Sequence, residues 1–265
     1  MITTLDLKKI GIKTAYSYIE KNPEKNMLKL MDWVDHFAGS GPDSFEEQLA
    51  IIRQIAADPD SNWHQLVMRI LRDTDCEVVK TVFTNFFLNA VLTGWKTLEE
   101  NRRNYQCNIP WTILLDPTSA CNLHCTGCWA AEYGNKLNLS FDEMDNLITQ
   151  GKELGVYFYI YTGGEPLVRQ DCLELIRRLK ELPETEAVTL TTNGVLLKRA
   201  LPELKRLSID GINVSLDTLK PERFSGIAGL CTDGRETWKQ VFETVKEGAA
   251  LGIPMKINCV PIRGL

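Results

Sequence analysis

Cys121, Cys125 and Cys128 stand at C-x3-C-x2-C within one short stretch, Thr118-Ser119-Ala120-Cys121-Asn122-Leu123-His124-Cys125-Thr126-Gly127-Cys128-Trp129. Whatever the chain folds into must present these three thiols together from a single loop. Thiolates are the usual ligands of iron–sulfur clusters, which normally take four. Three local cysteines on a [4Fe–4S] cluster would leave one iron open to an outside ligand. Zinc is the alternative at this point, with His124 as fourth ligand. Zinc-ribbon sites usually bring a second C-x2-C pair from a distance, and the sequence has none. A disulfide knot is disfavoured in a chain without a secretory signal. The remaining cysteines, Cys76, Cys107, Cys172, Cys231 and Cys259, are scattered singly and read as small core residues.

The residues up to about 108 read as helical. Apolar positions recur at helical spacing through Phe45-Leu49-Ile52-Ile55, Trp63-Leu66-Val67-Ile70-Leu71 and Val79-Val82-Phe83-Phe86-Phe87. Ser44-x-x-Glu47 reads as a capping box, and Ser61 as the start of the next helix. His36 and His64 are lone histidines on helical patterns, expected on the surface or satisfied in the core. Asn108-Ile109-Pro110 marks a boundary, because proline biases its predecessor toward extended backbone.

From Trp111 onward, short apolar runs alternate with amphipathic helices. Strands are expected at 113–115, 156–161, 188–191, 212–216 and 255–260, with helices between them. Ser140-x-x-Glu143 and Asp171-x-x-Glu174 sit where two helices should begin, and Gly252 where the last should stop. Continuous apolar strands alternating with helices predict a parallel sheet with helices outside it. The fold class is therefore α/β, a parallel sheet of about five strands preceded by an all-α domain. The domains divide as 1–108 and 109–265. A formal net charge of −5 gives no electrostatic footprint for nucleic acid. No apolar span reaches membrane length, so neither nucleic acid nor a membrane is expected as partner. Eight cysteines in a chain of this kind suggest a reducing cytoplasm.

The chemistry-bearing residues fall at the ends of the expected strands, where α/β folds place their sites. Gly163-Gly164-Glu165-Pro166 follows the second strand; paired glycines allow close backbone approach and the proline fixes a turn. Thr191-Thr192-Asn193-Gly194 ends the third strand, and Asn213-Val214-Ser215-Leu216-Asp217 forms the fourth. Turn chemistry alone is the other reading of each, with Asp217 as a helix cap. Lys256 and Asn258 on the fifth strand offer a single cation and an amide. An exposed strand lysine is also commonplace.

C-x3-C-x2-C followed one βα unit later by Gly-Gly-Glu-Pro resembles the radical S-adenosylmethionine (SAM) superfamily, over about Trp111 to Leu265. The resemblance implies an incomplete parallel (β/α) barrel of about five strands and a [4Fe–4S] cluster on Cys121, Cys125 and Cys128. It also implies SAM held by Gly163, Gly164, Glu165, Pro166, Thr192, Asn193, Ser215 and Asp217, and a 5′-deoxyadenosyl radical made on reduction. Thr191, Lys256 and Asn258 are the implied substrate contacts, and flavodoxin or ferredoxin the kind of reductant expected. The cysteine loop looks like that of an uncharacterised bacterial radical SAM group. From about Arg169 the chain looks more like the GTP cyclase of molybdenum-cofactor biosynthesis. Departures from that cyclase are clear: Gly127 replaces an aromatic residue, Leu114 and Ile160 stand where substrate arginines are expected, and neither a second cluster nor a sixth strand is expected within residues 1–265. The sequence thus reads as a radical SAM enzyme with an unidentified substrate. The GTP cyclase and a non-catalytic cluster- or zinc-binding module are the alternatives.

Overall fold

The computed structural model describes residues 46–82, 94–134, 136–181 and 187–260, with Thr14, Tyr18, residues 21–23, Asn26 and Lys29 as isolated positions before them. The chain forms two compact units, Met1–Thr84 and Asn85–Leu265. In the first, three helices are described, α1 (Glu46–Ala57), α2 (Asn62–Asp73) and α3 (Cys76–Val82). Ser61 caps α2 by accepting from the Trp63 N–H at 3.3 Å. His64 and Met68 are the buried residues of α2, and His64 Nδ1 lies 3.1 Å from the Ile55 carbonyl. Trp63, Leu66 and Ile70, on the apolar stripe read from the sequence, are exposed instead. Buried packing uses the neighbouring stripe at 64 and 68, four residues apart and so on one helical face. Ser44 and the Phe83-Phe86-Phe87 pattern lie outside the described residues.

The second unit begins at Asn85, well before Pro110. Helix α4 (Gly94–Tyr105) belongs to it because Leu98 is buried in the core of the sheet and its helices. Arg102 ties the helix to the chain entering the sheet, donating from Nη2 to the Ile109 carbonyl at 2.7 Å. The apparent break at Pro110 is thus a turn between α4 and the first strand. The reading of a helical domain to 108 included this helix because its pattern is no different from the others.

Five strands follow, β1 (Thr112–Leu115), β2 (Phe158–Tyr161), β3 (Ala187–Thr192), β4 (Gly211–Ser215) and β5 (Met255–Asn258). They pair in the order β1-β2-β3-β4-β5, all parallel, and the sheet is not closed. Between them run α5 (Phe141–Glu153), α6 (Cys172–Glu181), α7 (Leu197–Arg206), α8 (Pro221–Ala228) and α9 (Arg235–Ala250). Ser140 and Glu143 form the reciprocal capping box at the start of α5. Asp171 is otherwise engaged at the start of α6, its carboxylate held by Arg169 at 2.6 and 2.8 Å.

Alternation along the strands gives the sheet two different faces. Leu115, Tyr159, Tyr161, Val188, Leu190, Ile212 and Val214 are buried with the helices in one core. The other face carries Leu114, paired in register with Ile160, which is paired with Thr189 and through it with Gly211. One level nearer the strand C-termini, Thr191, Asn213 and Lys256 share a row, with Ser215 and Asn258 paired above them. An apolar lower level at β1–β2 therefore meets a polar upper level at β3–β5. No helix of the described residues is long and apolar enough to cross a membrane.

Candidate functional site

Because every strand is parallel, all C-terminal ends lie along one edge, and the cysteine loop is built there directly after β1. Its entry is fastened by backbone. Gly164 N–H donates to the Thr118 carbonyl at 2.9 Å and Glu165 N–H to the Ala120 carbonyl at 2.8 Å. A Cβ on Gly164 would lie 2.3 Å from the Ala120 oxygen, so only glycine lets the two segments approach this closely. Thr118 is buried; its hydroxyl donates to Asn138 Oδ1 at 2.6 Å and accepts from Ala120 N–H at 3.0 Å. Arg169 braces the same entry, donating from Nη1 to the carbonyls of Pro117 at 2.7 Å and Leu139 at 2.5 Å.

Glu165 is fully buried, yet its carboxylate is well satisfied. It accepts from Leu167 N–H at 3.0 Å, the Thr192 hydroxyl at 2.8 Å and Asn193 N–H at 2.7 Å. Burial pushes its pKa up, opposed by these bonds and by the Arg199 charge. The side chain joins the β2 end to the β3 end. Pro166 opens a short 3-10 turn, Pro166–Val168, on which this arrangement rests. Asn193 then reaches the loop itself: its Nδ2 lies 2.7 Å from Asn122 Oδ1 and 3.8 Å from Cys121 Sγ.

The three site cysteines are partly buried. Cys121 Sγ accepts from Leu123 N–H at 3.4 Å. Burial pushes the Cys125 thiol up to about 11, with further contributions from Cys128, Cys121 and Asp217. The Cys121 thiol is also raised, chiefly by burial. Among the described residues no three His, Cys, Asp or Glu converge on a single metal-ion position. A cubane cluster does not need that convergence, since its cysteines bind separate irons, whereas zinc brings its thiolates to about 2.3 Å from one point. Three partly buried thiols from one loop, with the Leu123 N–H aimed at the Cys121 sulfur, are a donor set that fits an iron–sulfur cluster.

The other expected residues sit on the same edge in different roles. Asp217 Oδ1 accepts from Val260 N–H at 2.8 Å, tying the β4 end to the β5 end. Thr191 Oγ1 lies 3.3 Å from Asn213 Nδ2. Ser215 and Lys256 are exposed and Asn258 partly so; none of their side chains bonds the cysteine loop. Sequence reasoning missed Asp116, one level above Leu114 on the ligand-facing side. Its Cβ would lie 3.3 Å from a Cβ on Gly163, and burial raises its pKa. It also missed Arg169 and the segment 226–229, whose contacts with the loop cross long stretches of chain and leave no local pattern.

An open parallel β/α sheet with a three-cysteine loop braced at its C-terminal edge is the arrangement of a cluster-dependent enzyme. The family model of the radical SAM superfamily matches residues 115–265, and the chain belongs to that superfamily, whose enzymes use a [4Fe–4S] cluster and SAM. It is similar to molybdenum cofactor biosynthesis protein 1 of Drosophila melanogaster, 36% identical over 68% of this chain and 33% of that protein. A GTP 3′,8-cyclase of Limosilactobacillus fermentum is 40% identical over 57% of this chain and 46% of the relative. The chain thus spans less than half the length of these curated relatives. Among solved structures, Streptococcus suis SuiB bound to its precursor peptide SuiA superposes with a TM-score of 0.54 at 20% identity, over 66% of this chain and 38% of that one. That likeness is one of fold.

Proposed function

We propose that Cys121, Cys125 and Cys128 hold the [4Fe–4S] cluster and that Gly163–Pro166, Thr192, Asn193, Ser215 and Asp217 form the SAM side of the site. The observation that carries this reading is the fastening of the cysteine loop to Gly164-Glu165 after β2 and to Asn193 after β3, two segments that meet it at this edge. Held by these three cysteines, a reduced cluster would supply the single electron that cleaves SAM to methionine and a 5′-deoxyadenosyl radical. The protein's own part is placement. Glu165 locks the β2 and β3 ends; Asn193 steadies Cys121 and Asn122; Leu123, 7% exposed, anchors the loop in the core. Gly164 keeps the loop close against the sheet, leaving its thiols at the edge. A small one-electron donor such as flavodoxin or ferredoxin would supply the reducing equivalent, in the reducing cytoplasm that such a cluster requires.

The substrate face favours a ligand other than a nucleoside triphosphate. Leu114, 62% exposed, and Ile160 in register with it offer no charge-assisted hydrogen bonds where phosphates would need them. Lys256 contributes a point charge on the polar level, joined by Thr191 and Asn258. GTP cyclisation is the second reading, supported by a relative bearing that name at 40% identity. Anaerobic calorimetry with GTP, beside a product assay under turnover, separates the two. SAM cleavage unaffected by GTP supports the proposal; micromolar GTP binding with a cyclised product would replace it.

A further inference from the structure

The last carbonyls of an α-helix lack intrahelical partners and are usually satisfied by the residues that end the helix. Helix α8 is closed in this way only at Ser225. The Gly229 and Leu230 N–H groups both turn back to the Ser225 carbonyl, the latter at 2.9 Å. The next three carbonyls are all taken by the cysteine loop. Gly226 O accepts from the Thr126 hydroxyl at 3.1 Å, Ile227 O from Thr126 N–H at 2.9 Å, and Ala228 O from His124 N–H at 3.1 Å. The two backbone donors flank Cys125 on either side. Gly229 closes the contact with φ +65°, and a Cβ there would sit 1.9 Å from the His124 carbonyl oxygen and 2.5 Å from its carbon. Two separate requirements, a left-handed backbone and a missing side chain, therefore fall on one residue.

We infer that residues 226–229 are a positioning clamp for Cys125, with Gly229 the residue that lets the loop seat against the helix end. The inference rests on the reading that this loop holds the cluster. The loop has two independent fastenings: Gly164, Glu165 and Asn193 fix Ala120 to Asn122, while the end of α8 fixes His124 to Thr126. The first sets where Cys121 stands and the second where Cys125 stands, so the spacing between the two thiols is set by the protein before any cluster binds.

Gly229→Ala tests this against Gly252→Ala. Gly252 also has a positive φ, +72°, but the nearest atom to a Cβ there is Lys205 Nζ at 3.6 Å, far from the loop contact. In apoprotein, hydrogen exchange of the His124 and Thr126 amides should be at least tenfold faster in Gly229→Ala and unchanged in Gly252→Ala. After anaerobic reconstitution, iron per chain should fall at least threefold in the former alone. Thr126→Val, which removes a single bond and keeps the shape, should speed exchange at Thr126 and alter the electron paramagnetic resonance signal of the reduced cluster. Wild-type exchange and iron content in Gly229→Ala would overturn the inference, as would equal losses in Gly252→Ala. Should Gly229→Ala fail to fold, a Thr126→Val protein with unaltered exchange and spectrum would overturn it too. If the wild type itself takes up no cluster, the functional reading fails, and the exchange rates still decide the clamp.

Discussion

Replacing Gly164 by alanine puts the sheet and the cysteine loop in direct conflict. The new Cβ would lie 2.3 Å from the Ala120 oxygen, 2.7 Å from the Ala120 carbon and 2.7 Å from the Ser119 oxygen. Ordinary contact begins near 3.4 Å, so the two backbones must part by about an ångström, and no flexible side-chain end is present to give way. Overpacking of this kind costs about 1–3 kcal/mol. Parting the segments also weakens the Gly164–Thr118 and Glu165–Ala120 hydrogen bonds, at about 1 kcal/mol each. The expected loss is about 3–5 kcal/mol, a large share of the 5–15 kcal/mol by which domains are usually stable. Urea unfolding of the apoprotein, followed by circular dichroism, should show a midpoint lower by about 1–5 M, taking a slope of about 1–3 kcal/mol/M. Gly226→Ala is the control: nothing lies within 4 Å of its Cβ, and in a helix alanine is favoured by about 1 kcal/mol. Its midpoint should stay level or rise. A Gly164→Ala protein with an unchanged midpoint would show that the motif is not needed for backbone approach.

Three further outcomes follow from the thiols. With Cys125 pushed up to about 11, its thiolate fraction at pH 8 is roughly a hundredfold below that of a thiol of pKa near 9. Alkylation of apoprotein followed by mass spectrometry should label exposed Cys107 and Cys231 well before Cys125; equal rates would refute the burial argument. The sign matters for the holoprotein as well, since ligation must displace protons held through neutral pH, so cluster uptake should rise between pH 6.5 and 8.5. Changing Cys121, Cys125 and Cys128 together to alanine should abolish iron and sulfide binding, while loss of Cys107 and Cys231 should leave it intact.

The strands were legible because each is a short apolar run flanked by turn residues, and all five fall within two residues of the sequence-derived limits at their starts. The Ser140 box was legible for the same local reason. Asp171 was not: its spacing suits a cap, yet Arg169, two residues away, captures the carboxylate. The motifs at strand ends could be named from sequence, but not what they do to one another. Glu165 looks like a ligand-binding acid in a list of motifs; in the fold its oxygens are filled by Leu167, Thr192 and Asn193. Nothing near Gly229 in the chain announces that it lies against His124, because the contact is made across about a hundred residues. The same holds for α4, whose helical pattern cannot say which unit its Leu98 is buried in.

The central claim is tested most directly by anaerobic reconstitution of the protein with iron and sulfide, addition of SAM and dithionite, and assay for 5′-deoxyadenosine. The account predicts slow release of 5′-deoxyadenosine that depends on SAM, on the reductant and on all three loop cysteines. A protein carrying a full [4Fe–4S] complement that yields none, or a yield that survives loss of the three cysteines, would contradict it.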